Sequence, residues 1–201
     1  MAYFSSCVIG YLFGSLNFAN LLGKLKKTDV RELGTKNAGA TNVAYIFGTH
    51  VGLIVAFFDI LKAILAITIT RIIFPQNLYA DLITGTGCVL GHIFPVFMQF
   101  KGGKGLAPLS GVVIAINVKF FLLLAILAIA MIYITHYGIA AAMVAITLFP
   151  LLMLFSTRDF IAFSIVCFIS IVMFIKHIPN LKRIQEGTEI RFFTESKRKI
   201  F

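Results

Sequence analysis

Long apolar stretches separated by short basic segments restrict this chain more than any other feature. Across residues 51–74 the charges are Asp59, Lys62 and Arg71, and further apolar runs cover 3–23, 79–98, 106–135, 138–156 and 160–177. Hydrocarbon offers no partner to a backbone N–H or C=O, so runs of this length cross it as helices. Composition agrees: 59% of the 201 residues are apolar and 13% charged, with a mean hydropathy of +0.96, far from the usage of a soluble domain. The sequence therefore predicts an all-α integral membrane protein, a transmembrane helix bundle in one domain over 1–201, with no internal repeat.

Basic residues set the orientation. Lys24, Lys26, Lys27, Arg31 and Lys36 follow the first run, Lys101 and Lys104 follow the third, and seven Lys or Arg lie within 176–201. Loops enriched in Lys and Arg stay in the cytoplasm. One helix over 106–135 would be about 45 Å long against a hydrocarbon core of about 30 Å, and Asn117 and Lys119 stand where a turn between two short helices would fall. Two crossings there make a seven-helix bundle with the N-terminus outside and all three basic clusters cytoplasmic. A single crossing would place 24–36 and 176–201 on opposite faces. The net charge of +10 then reads as topology and anion-binding charge, not as a nucleic-acid footprint. The first run lacks a cationic start and continues past residue 20, so it reads as a retained helix. Cys7, Cys88 and Cys167 lie singly in apolar runs, as reduced packing residues.

Asp59 and Lys62 are three apart and share one helix face, which predicts a structural ion pair turned into the bundle. Left unpaired, each charge would cost about 2.5–3.5 kcal/mol near the bilayer centre.

Chemistry concentrates in the loops. Gly102, Gly103 and Gly105 flank Lys104, and glycines permit the positive φ angles that turn backbone N–H groups inward as an anion nest. A phosphate or phosphoanhydride is the expected guest; the alternative is a flexible turn whose lysines only orient the protein. The spacing is not that of a nucleoside-triphosphate P-loop, which needs Gly-x4-Gly-Lys-[Ser/Thr]. Residues 34–42 carry Thr35, Asn37, Gly39, Thr41 and Asn42 and are expected to open a short interfacial helix, either capping it or donating to a ligand. His177 and Asn180 end the last span, with Pro179 between them expected to break the helix. His92, beside Phe94 and Pro95, reads as a helix-end hydrogen bonder. None of the four histidines has an Asp five residues later, and no metal-ligand set is visible.

Together these motifs carry a resemblance. Residues 31–43, Arg-Glu-Leu-Gly-Thr-Lys-Asn-Ala-Gly-Ala-Thr-Asn-Val, resemble the first signature of the acyl-phosphate:glycerol-3-phosphate acyltransferases, the PlsY family. Gly91-His92-Ile93-Phe94-Pro95 through Phe100-Lys101-Gly102-Gly103-Lys104-Gly105 resembles the second. His177-x-x-Asn180-Leu181-Lys182-Arg183 with Gly187-Thr188-Glu189 resembles the C-terminal block. The resemblance implies a seven-helix enzyme of the bacterial inner membrane with short interfacial helices and cytoplasmic active-site loops. Its substrates would be acyl phosphate and glycerol 3-phosphate, and its product lysophosphatidic acid for phospholipid biosynthesis, made without a cofactor. It further implies contact with membrane lipid, coupling to an acyl-phosphate-producing enzyme, phosphate binding by the 34–42 turn, Gly102, Gly103 and Lys104, and orientation of glycerol 3-phosphate by His177 and Asn180. The chain departs from the family pattern at Tyr45, where an arginine is expected, and at Ile139 and Ala142, where serines are expected. Thr35 replaces a serine and keeps its hydroxyl. A catalytically weakened or altered-substrate relative is the alternative reading, and an anion transporter a further one.

Overall fold

Each apolar run forms helix, because in lipid only a helix pairs its backbone within its own segment. The structure, a computed structural model, describes residues 1–192. Lys197, Arg198 and Lys199 of the last basic cluster lie outside the described residues. Among those described, the order is α1 (Ala2–Ser15), α2 (Phe18–Leu25), α3 (Ala40–Phe47), α4 (Thr49–Ile73), α5 (Ala80–Ile93), a 3-10 turn (Val96–Met98), α6 (Leu106–Ile116), α7 (Val118–Thr135), α8 (Ile139–Thr157) and α9 (Phe160–Gln185). Among the described residues six segments are long and apolar enough to cross a membrane, α1 and α2 counting as one over Ala2–Leu25. The chain divides into two units, 1–118 and 119–201.

In the first unit α1 packs on α5 through small residues. A Cβ on Gly14 would run into the Cys88 carbonyl, and one on Gly91 into the Tyr11 carbonyl, so the two backbones meet as closely as small-residue membrane interfaces allow. Tyr11 closes the end of this pair by donating to the Phe94 carbonyl at 2.7 Å. Helix α4 packs against α3, α5 and α6.

One expectation for this unit changes, and another is narrowed. The span over 3–23 is not continuous: Asn17 accepts from the Asn20 N–H at 2.8 Å and caps a new helix, a local bond that competes with helix continuation. In 106–135 the interruption falls at Asn117, which is extended and ends α6, while Lys119 already lies inside α7. Eleven residues of α6 reach about 16 Å, short of a hydrocarbon core of about 30 Å. Buried Pro108, Leu109, Gly111, Val112 and Val113 show that α6 is held by protein contacts.

In the second unit α8 and α9 form a helical hairpin. Arg158 takes a left-handed conformation to end α8, and Asp159 caps α9 by accepting from the Ile161 and Ala162 amides at 2.8 and 3.1 Å. Their seam holds Ala142, Ile146, Phe149 and Met153 on α8 and Val166, Ile169 and Met173 on α9. Helix α9 reaches Gln185, about two turns beyond the expected end at 177.

Candidate active site

The break between α1 and α2 leaves backbone carbonyls unpaired inside the membrane, and Lys62 answers them. Its ammonium donates to the Gly14 carbonyl at 3.0 Å and the Leu16 carbonyl at 2.8 Å, placing a cation where a helix C-terminus favours one. The pair with Asp59 forms at 2.7 Å, both side chains being buried. His92 joins them: its Nδ1 stands 3.1 Å from Lys62 Nζ and 3.5 Å from Asp59 Oδ1.

Directly after His92 the chain makes the glycine-rich turn, with a geometry that corrects the sequence expectation. Positive φ falls on Gln99 (54°), Phe100 (60°) and Gly105 (92°), not on Gly102 or Gly103. The Gly102 amide donates to the Ile93 carbonyl at 3.1 Å and the Gly103 amide to the His92 carbonyl at 3.0 Å, so these two N–H groups are spent on the turn and do not form the expected nest. Close approach explains the glycines: a Cβ on Gly102 would meet the His92 carbonyl, and one on Gly103 the His92 ring. Lys104 is half-buried and Lys101 exposed. Gly105 begins α6 without any side-chain cap.

Residues 28–42 fold against this turn. Arg31 grips Asp29 through Nε and Nη2, with a shortest distance of 2.7 Å, and reaches the Met98 carbonyl at 3.3 Å. The guanidinium hydrogen bonds hold the Asp29 carboxyl below its ordinary pKa. Gly103 lies beside Ala38, whose carbonyl accepts from Asn17 Nδ2 at 3.0 Å. Asn42 does not cap α3. Fully buried, it accepts from the Thr35 amide at 2.6 Å and donates to the Val30 and Leu33 carbonyls at 2.7 and 3.1 Å. Gly34, at φ 56°, leaves room for that amide, since its Cβ would sit 2.5 Å from Asn42 Oδ1. Gly39 starts α3, again with no side-chain cap. Thr41 is exposed, and Thr35 and Asn37 are half-buried on the same loop. The structure therefore brings the 34–42 turn and the Lys104 turn together through Gly103 and Ala38, and each turn leads into a helix that begins without a side-chain cap.

The second unit builds its polar group along one helix. Pro179 does not break α9; its ring lies on an exposed face, and the helix runs on through it, losing one backbone bond. His177 and Asn180, three apart, are consequently both buried on one face. His177 Nδ1 lies 2.8 Å from the Met173 carbonyl, so a neutral ring carries its lone pair on Nε2. Past α9, Gly187 (φ 71°) turns the chain while the Thr188 amide donates to the Arg183 carbonyl at 2.8 Å, a glycine-ended helix stop. Glu189 thereby returns to accept from Asn180 Nδ2 at 2.5 Å and Arg183 Nε at 2.6 Å.

Several of these residues were not singled out from the sequence. Asn17 shares the first apolar run with Asn20 and belongs to no quoted motif, while Arg31 and Glu189 lie inside the motifs without a site role being assigned to them there. Of the departing positions, Tyr45 is half-buried on α3, and Ile139 and Ala142 are buried at the start of α8. Among the described residues no group of three or more His, Cys, Asp or Glu is placed to hold a metal ion.

Residues 4–187 match the family model described as glycerol-3-phosphate acyltransferase. A glycerol-3-phosphate acyltransferase of Lactiplantibacillus plantarum is 32% identical over 183 residues, 90% of this chain and 88% of that protein. One from Coxiella burnetii is 35% identical over 192 residues, 94% of this chain and 97% of the relative. The fold is similar to crystal structures of PlsY, an integral membrane glycerol 3-phosphate acyltransferase. Its glycerol 3-phosphate form is 31% identical with a TM-score of 0.86, covering 96% of this chain and 97% of that one. The lysophosphatidic acid form is 30% identical, with the same TM-score and coverage.

Proposed function

The chain belongs to the glycerol-3-phosphate acyltransferase family, and from that premise we propose that it transfers an acyl group from an acyl phosphate to the sn-1 hydroxyl of glycerol 3-phosphate. The products are lysophosphatidic acid and inorganic phosphate. Within the molecule, the observation that carries this reading is the packing of the Lys104 turn on the 34–42 loop, where Gly103 lies beside the Ala38 carbonyl, next to the start of α3 at Gly39. Helix N-termini favour anions and lysine adds a full charge, so a phosphate is stabilised there although Gly102 and Gly103 form no nest.

The donor is a mixed anhydride and already activated. The glycerol hydroxyl attacks the acyl carbon, the new ester C–O bond forms, the bond to the phosphate oxygen breaks, and the hydroxyl proton passes to a base. Positioning and neutralisation of phosphate charge supply the catalysis, which calls for no cofactor. Lys104 with Thr35, Asn37, Gly39, Thr41, Gly102 and Gly103 forms the phosphate-binding set. His177, with a lone pair on Nε2, and Asn180 orient glycerol 3-phosphate. Asn42, its amide spent on the loop, supports that set from below.

We place the protein in a bacterial inner membrane as one functional domain over 1–201, with Lys26, Lys104 and Lys182 on the cytoplasmic face and the N-terminus outside. The positive-inside bias supports this orientation. Coupling to an enzyme that makes acyl phosphate follows from the lability of the anhydride. Tyr45, Ile139 and Ala142 favour one second reading, a weakened or altered-substrate relative. Detergent-purified protein given palmitoyl phosphate and labelled glycerol 3-phosphate should yield labelled lysophosphatidate. No product under conditions where the Lactiplantibacillus plantarum relative turns over would select the second reading.

A further inference from the structure

An ion pair at Asp59 and Lys62 needs no particular neighbours to neutralise itself, yet here it lies directly under the phosphate-binding turn. Lys62 on α4 joins three elements at once: the broken end of α1 through Gly14 and Leu16, its own helix through Asp59, and α5 through His92. An ammonium only donates, so His92 Nδ1 is the acceptor at 3.1 Å and the ring proton sits on Nε2. The Nε2 edge faces Gly103, where a Cβ would overlap the ring on one side and stand 2.9 Å from the Ala38 carbonyl on the other. Gly103 is thus held between the imidazole and the 34–42 loop. The loop is tied in turn to the α1–α2 break by Asn17.

We infer that His92 is the positioning residue of the phosphate-binding turn: its imidazole, held at Nδ1 by the Lys62 ammonium, fixes Gly103 and thereby the place of Lys104. The inference rests on the acyltransferase reading for its kinetic test. In metal sites a ligating side chain is oriented by the partner behind it, and losing that partner costs about 10- to 100-fold in affinity or activity; the same logic applies to a lysine carried on a turn. Asp59 then serves to hold the ammonium in place.

The double variant Asp59→Asn with Lys62→Met separates positioning from charge pairing. Removing both charges together relieves any unpaired charge in the membrane, so a pair that serves only stability predicts a folded protein with unchanged KM values. Positioning predicts a folded protein in which the same KM that Lys104→Ala raises is itself raised by about tenfold, with kcat less affected. A turnover-independent readout accompanies it. Hydrogen exchange of the Gly102 and Gly103 amides, which donate to the Ile93 and His92 carbonyls, should quicken in the double variant while the α8–α9 hairpin keeps its protection. Should the double variant not fold, His92→Leu carries the test with the same two readouts. Unchanged KM values and unchanged exchange in a folded variant overturn the inference. A wild type that makes no lysophosphatidate counts against the acyltransferase reading, while the exchange data still decide whether His92 holds the turn.

Discussion

The two units build polar chemistry in opposite ways. In the first, the turn after α5 and the loop before α3 are held by backbone bonds and by amides turned inward, with Asn17, Asn42 and His92 each occupied by carbonyls, amides or a neighbouring lysine. Lys104 adds a half-buried charge to that frame. In the second, His177, Asn180 and Arg183 project from a single helix, and Glu189 returns to tie two of them together. A loop frame positions phosphate through main-chain dipoles and tolerates little change of volume; a helix face positions a substrate through the side chains themselves. Mutations of the frame residues Asn17, Asn42 and His92 should therefore read as lost geometry or stability, and mutation of His177 as lost chemistry.

The sharpest challenge to this contrast is Lys104→Ala. It should lower kcat/KM by roughly 10- to 150-fold, the range of one charge-assisted hydrogen bond, while Lys101→Ala stays near wild type. Equal losses would remove the reason for placing phosphate at the turn. Next comes His177→Ala, expected to cut kcat/KM about 10- to 100-fold, the scale of one lost hydrogen bond to a charged substrate, with an unchanged melting temperature. A loss explained wholly by melting would move His177 from the chemistry to the scaffold.

Restoring the family residues as Tyr45→Arg with Ala142→Ser should raise kcat/KM by about tenfold if each new donor finds phosphate. Ala142 is fully buried, so a hydroxyl without a partner there would instead cost stability, and parallel melting curves distinguish the two. Asn42→Ala tests the frame directly. It leaves the Val30 and Leu33 carbonyls and the Thr35 amide short of a partner, so stability should fall by about 1–3 kcal/mol. Activity per folded molecule should change much less than in Lys104→Ala, and a KM defect matching Lys104→Ala would show Asn42 touching substrate.

The smallest effect belongs to Asp29. Its folded carboxyl titrates below the unfolded value near 3.9 because of Arg31. The pair's contribution is therefore full above that unfolded value and lost as pH falls through the lower, folded one. Both groups are about one-third exposed, so solvent screening limits the contribution to under about 1 kcal/mol. Asp29→Asn should leave turnover flat from pH 6 to 8 and raise hydrogen exchange only in the 28–36 loop.

The all-helical class, the membrane environment and the partnership of Asp59 with Lys62 were determined by the sequence alone, because they depend on local quantities: run length, side-chain transfer cost and helical spacing. The family was equally legible, since its motifs are contiguous strings of residues. Other features were decided only by the tertiary structure. Gly102 and Gly103 are glycines because His92 packs against them, a contact no spacing reveals. Asn42 is a clip rather than a cap because three groups of the 30–35 loop fold onto it. The break after Ser15 persists because Lys62, far along the chain, supplies donors for its carbonyls, and α9 passes through Pro179 because its ring finds an exposed face. In each case the competing local rule was sound, and at every position but Pro179 a tertiary contact outweighed it.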